Sequence, residues 1–143
     1  MDKEQHLTLP CDVADVPRLA AFIDQICEEA GIGMSTAMEV NLAVEEAVVN
    51  VMSYAYPNGI KGAVDIDALV TDDELKFVIS DKGTPFDPTQ QAEVDTSLSA
   101  EERTIGGLGI HLIRQIMDTI HYEHTDDRNV LTLSKKLTKN IAL

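Results

Sequence analysis

The sequence predicts an α/β two-layer sandwich: a mixed, mainly antiparallel sheet with about three helices on one face. Three observations predict it. Two long segments with helical apolar spacing come first, then two runs that alternate at period two, then a third helical segment leading into a closing hairpin. The implied order is β-α-α-β-β-loop-α-β-β. At 143 residues the chain is most simply one domain spanning 1–143, long enough to bury a real core.

Each element has its local reason. "HLTLP" reads as a short first strand. Val16, Leu19, Ile23, Ile26 and Ala30 recur at helical spacing, with Asp15 placed to cap, Pro17 tolerated in the first turn and Gly31 as the stop. A second helix runs from about Ser35 to Ala55 and ends at the turn signal "YPNG". "GAVDIDALV" (62–70) and "ELKFVIS" (74–80) form a hairpin through "TDD". From Asp87 to Ile105 no period is sustained, and a loop that long in so small a domain is usually functional or mobile. A helix from about Leu108 to Asp118 follows, then "TIHYEH" (119–124) and "NVLTLSKK" (129–136).

Composition narrows the function. A formal charge of −14 argues against direct nucleic-acid binding, because phosphates repel such a surface. It leaves room for a nucleotide if a divalent cation and backbone N–H groups offset the phosphate charge. No apolar run approaches the roughly 20 residues that span a bilayer, and the N-terminus lacks a secretion signal, so a cytosolic protein with no membrane partner is expected. Cys11 and Cys27 have no metal spacing and read as reduced thiols, and the four histidines do not cluster.

Three short motifs carry chemistry. In the second helix Glu39, Glu46, Asn50 and Ser53 share a narrow arc away from the main apolar stripe of Val40, Val44, Ala47, Val48 and Val51. Glu46 and Asn50 lie one turn apart, so a carboxylate that can accept a proton and an amide oxygen suited to Mg²⁺ address one small volume. Alone, the pair would more readily mark a solvated face. Second, Leu75, Phe77, Ile79 and Asp81 form one row by strand alternation, so Asp81 ends a core-facing line and needs a donor such as an adenine amino group. Gly83 then lets the backbone approach a flat ring, although Asp and Gly are also ordinary turn residues. Third, "TIGGLGIHL" (104–112) places Gly106, Gly107 and Gly109 at a helix start, where free N–H groups and the dipole favour an anion. A flexible hinge would read the same way.

In this order the motifs resemble the GHKL ATP-binding superfamily: Glu-x-x-x-Asn on a helix, strand-Asp-x-Gly, a long loop, then Gly-x-Gly opening a helix. That superfamily includes the ATP-binding domains of histidine kinases, type II topoisomerases and a heat-shock chaperone. The resemblance covers roughly residues 6 to 137. "EEAVVNVMSYAYP" and the compact length are more narrowly similar to the anti-sigma factor serine/threonine kinases. The resemblance implies ATP and Mg²⁺, with Glu46 as the catalytic carboxylate and Asn50 as the metal ligand. It implies that Asp81 and Gly83 hold adenine, and that Thr104, Gly106, Gly107, Leu108 and Gly109 border the phosphates. Residues 87–105 would be the ATP lid, in which Arg103 reads more readily as a solvated residue than as a phosphate contact. Where these kinases often carry a histidine four residues after the asparagine, this chain has Tyr54.

The implied partners are a sigma factor, held in one state, and an anti-anti-sigma protein, phosphorylated on a serine or threonine in the other. Arg18 matches a basic residue through which such kinases meet partners, and family analogy suggests a homodimer. Two alternatives stand beside this reading. One is a non-catalytic, ATP-dependent partner-binding regulator. The other, ranked last, is a histidine-kinase catalytic domain. His111 falls on the polar side of the third helix, as a surface residue would.

Overall fold

A computed structural model describes residues 3–56, 62–90 and 107–137. The elements in chain order are β1 (Lys3–Pro10), α1 (Val16–Glu29), α2 (Met34–Tyr54), β2 (Ala63–Val70), β3 (Glu74–Asp81), α3 (Gly107–Ile116), β4 (Thr119–Thr125) and β5 (Arg128–Lys136). Short 3-10 turns lie at Val13–Asp15 and Pro88–Gln90. Order and type follow the expectation. Only β1 is clearly longer, because its pairing with β2 runs from Lys3↔Val70 to Pro10↔Ala63 through charged residues that no apolar pattern marks.

The five strands form one sheet in the order β1-β2-β3-β5-β4. The sheet expected to be mixed and mainly antiparallel is antiparallel in all four of its pairings among the described residues. α3 supplies the crossover that lets β5 lie beside β3. Alternation sends Leu9, Val64, Ile66, Ala68, Leu75, Phe77, Ile79, Leu131 and Leu133 to one face, where they are buried. The helices cover that face with Leu19, Ile23 and Ile26 from α1, Val40, Val44 and Val48 from α2, and Ile110 and Ile113 from α3. Each such side chain contributes about 1.5–3 kcal/mol through its removal from water.

Helix ends are set by local chemistry, with one correction. Asp15 was expected to cap α1, but its backbone is helical and its side chain makes no cap hydrogen bond. The 3-10 turn before it already supplies the entry, and Asp15 Oδ1 instead lies 3.5 Å from Arg18 Nη1. At the other end Gly31 adopts φ +71, Gly31 N–H donates to Glu28 O and Ile32 N–H to Cys27 O. That is a Schellman ending, for which glycine is the natural residue. Both cysteines are free, and burial pushes the Cys27 thiol up to about 11.

The uncovered face of the sheet is polar. Thr8 Oγ1 donates to Asp65 Oδ1 at 2.7 Å, while Arg128 Nη2 reaches Asp65 Oδ2 at 2.7 Å and Ser80 Oγ at 3.0 Å. Among the described residues no helix is long and apolar enough to cross a membrane.

Candidate active site

A cavity opens where α2, the end of β3, α3 and the β4–β5 hairpin meet. Ala47, Asn50 and Val51 line it from α2, Ile79 and Asp81 from β3, Ile113 from α3, and Tyr122, Asn129 and Leu131 from the hairpin. The arc of Glu39, Glu46, Asn50 and Ser53, expected from the sequence to act as one stripe, divides in the structure. Asn50 is buried at the cavity wall, whereas Glu39 and Ser53 stay exposed.

Asp81 is the most deeply buried acid of the site, at 2% exposure. It ends the row of Leu75, Phe77 and Ile79, so strand alternation alone carries it inward. Its Oδ1 accepts Gly83 N–H at 2.8 Å and Asn129 Nδ2–H at 2.9 Å. Its Oδ2 has no hydrogen-bond partner among the described residues. A buried carboxylate with one oxygen satisfied and the other at a cavity wall suits a ligand that donates a hydrogen.

The turn after Asp81 is fastened to the end of α2. Thr84 N–H donates to Ala55 O at 2.8 Å, and Lys82 N–H donates to the Tyr56 hydroxyl at 3.0 Å, which in turn donates to Ala63 O at 3.1 Å. A Cβ on Gly83 would stand 2.4 Å from Ala55 O. Glycine is therefore required by a close backbone approach. Phe86 closes the turn, stacked on Tyr54 with ring centroids 4.6 Å apart. Tyr54, at the position where a histidine was the family expectation, thus supplies aromatic wall.

Asn50 is 7% exposed, and its amide has no hydrogen-bond partner among the described residues. The amide opens on the cavity, and its oxygen is a hard donor of the kind Mg²⁺ takes. The residues present fit that ion. Glu46 lies one turn nearer the helix N-terminus, half-buried and outside the cavity lining. It stands on the adjoining strip of the same helix, without an ion pair among the described residues.

Gly107, Leu108 and Gly109 form the first turn of α3. Ile113, one turn beyond Gly109, lines the cavity, and the first-turn N–H groups have no acceptor within their own helix. Thr104, Gly106, Arg103 and the lid from residue 91 onward lie outside the described residues. The first part of the expected lid, residues 87–90, forms a 3-10 turn that Asp87 Oδ1 caps by accepting Thr89 N–H at 2.8 Å. Arg114 Nη2 ties it to α3 through Thr89 O at 2.7 Å. Of the outlying candidates, Arg18 and His111 are both exposed on their helices.

Asn129 was missed by the sequence reading. It is 4% exposed and directly opposite Asp81 in the β3–β5 register. A polar residue beginning an otherwise apolar alternating strand was the available signal, but its meaning depends on a pairing the sequence does not spell out.

Comparison with known proteins agrees with this fold. A family model described as a histidine kinase-like ATPase domain matches residues 9–135. The serine-protein kinase RsbW of Listeria monocytogenes serovar 1/2a is 31% identical over 129 residues, covering 87% of this chain and 82% of that kinase. The serine/threonine-protein kinase BtrW of Bordetella bronchiseptica is 32% identical over 95 residues, 66% of this chain and 67% of its own. Among solved structures, the RsbU and RsbW domains of a Mycobacterium tuberculosis protein superpose with a TM-score of 0.67 at 16% identity, over 94% of this chain and 32% of that one. At that identity the likeness speaks for the fold.

Proposed function

Because this chain belongs to the histidine kinase-like ATPase family, among relatives named as RsbW serine-protein kinases, we propose that it is an ATP-dependent serine/threonine protein kinase acting as an anti-sigma factor. It takes the γ-phosphate of ATP and passes it to a serine or threonine of an anti-anti-sigma protein, and it sequesters a sigma factor. The observation that carries the reading is a pair of polar groups on one cavity, Asp81 Oδ2 and the Asn50 amide, neither with a hydrogen-bond partner among the described residues.

In this reading Asp81 accepts the adenine amino group, and Gly83 keeps the wall flat against the ring. Asn50 would hold Mg²⁺, which would supply positive charge against the phosphates. The N–H groups of Gly107, Leu108 and Gly109 face the phosphates, with Thr104 and Gly106 just upstream in the chain. Glu46 positions or deprotonates the incoming hydroxyl, its place beside Asn50 bringing it within a helical turn of the phosphate end. The acidic surface suits partners of basic or mixed charge.

The test is incubation with γ-labelled ATP and candidate antagonist proteins. Acid-stable label on a serine or threonine of the antagonist is expected. Acid-labile histidine-linked label would favour the histidine-kinase alternative, and nucleotide binding without transfer would favour a regulator that only captures partners.

A further inference from the structure

The base-reading carboxylate does not stand alone, and the groups that fix it lie on a different hairpin. Asn129 Nδ2 faces three acceptors: Asp81 Oδ1 at 2.9 Å, Thr84 O at 3.0 Å and Gly83 O at 3.4 Å. On its other side Asn129 Oδ1 accepts the Tyr122 hydroxyl. The amide therefore has one stable orientation. Rotated by half a turn, its oxygen would confront a carboxylate and two carbonyls, with no donor among them.

Tyr122 is held in turn. Burial first, and the Asp87 and Asp81 carboxylates after it, raise the phenol above its ordinary pKa, so that it stays a donor. The chain of donors runs from the Tyr122 O–H to Asn129 Oδ1, and from Asn129 Nδ2 to Asp81 Oδ1. With Gly83 N–H also on Oδ1, the carboxylate cannot rotate without losing both donors at once. Oδ2 is the oxygen left for a ligand.

We propose that Asn129 and Tyr122 are positioning residues that set nucleotide selectivity, by locking Asp81 so that a bare carboxylate oxygen meets position 6 of the purine. Adenine presents an amino donor there and is accepted. Hypoxanthine and guanine present a carbonyl oxygen, which a fixed carboxylate repels. A carboxylate free to turn, or to be hydrated, would discriminate far less, because selectivity of this kind comes from a buried polar group left unpaired by the wrong ligand. The inference rests on the reading of the cavity as an adenine-nucleotide site.

The experiment measures dissociation constants for ADP and for inosine diphosphate, which differs in carrying oxygen in place of the amino group. The full chain is compared with Asn129→Ala and Tyr122→Phe. The wild type is expected to favour ADP strongly. Asn129→Ala should lower the ADP-over-inosine-diphosphate ratio by about tenfold, the scale of one hydrogen bond to a charged group. Tyr122→Phe should lower it by about threefold, since Asn129 keeps its three acceptors. In phosphotransfer, KM for ATP should rise with kcat unchanged, because the pair touches the base end and not the transferred phosphate. Parallel weakening of both nucleotides, with the ratio preserved, would reduce the pair to a structural role and overturn the proposal. Should Asn129→Ala fail to fold, an unchanged ratio in Tyr122→Phe overturns it independently. A wild type that binds neither nucleotide sinks the adenine reading itself, whereas selective wild type with equally selective variants sinks only the positioning role.

Discussion

At one end of the cavity Asp81 is gripped by Gly83 and Asn129, and the turn beyond it is tied to α2 at Ala55 and Tyr56. At the other end Asn50 and Glu46 stand on a single helix face without a side-chain partner among the described residues. The first end is a lattice of tertiary hydrogen bonds and the second is a presentation surface. In the proposed function the difference follows from what each end would do. Selecting a base needs a fixed acceptor, because a mobile one would be hydrated between visits. Metal and hydroxyl chemistry needs groups whose valences stay open until the reactants arrive.

Mutations should separate the two ends, and the largest effect belongs to the open one. Glu46→Ala is expected to cut phosphotransfer by about 10²–10⁴-fold while leaving ADP affinity within about twofold. Single-turnover kinetics beside calorimetric binding would show it, and equal transfer by both proteins would remove the base role. At the gripped end Asp81→Ala should weaken ADP by about 10–100-fold, through a hydrogen bond to a charged group worth about 1.5–3 kcal/mol. It also strands Gly83 N–H, so a lowered melting temperature should accompany the loss. A variant that bound ADP normally would place the base elsewhere.

Gly83→Ala sharpens the comparison differently, because it attacks the tie and not the acceptor. A methyl 2.4 Å from Ala55 O forces the turn away from α2, at a cost of about 1–3 kcal/mol. The urea midpoint should fall, and ADP affinity with it, as Asp81 Oδ1 loses the Gly83 N–H. The smallest effect lies far from either end. The Thr8 hydroxyl first, and Arg128 after it, hold the Asp65 carboxyl below its ordinary pKa. A carboxylate depressed in the folded state adds stability at neutral pH and loses it as pH falls from about 4 through that lower value. Asp65→Asn should therefore flatten the acid limb of a stability–pH curve measured by urea melts, with little change in nucleotide binding.

Much of this was legible in the residues. The alternation of Leu75, Phe77, Ile79 and Asp81 marks a buried acid without any structure, and the 3.6 period places Asn50 beside Ala47 and Val51. What pairing and register decide was not legible. Asn129 matters because β5 lies beside β3 with Asp81 opposite it, a consequence of the α3 crossover. Asp15 misled for a related reason, since a 3-10 turn satisfied the entry to α1 before a side-chain cap was needed.

The most direct test of the central claim is a crystal structure of the protein with ADP and Mg²⁺. The base amino group should lie within hydrogen-bond distance of Asp81 Oδ2, the Asn50 amide oxygen should sit on the metal, and the phosphates should face the first turn of α3. Nucleotide density outside the space between Asp81 and Asn50, with that cavity left to solvent, would contradict the account.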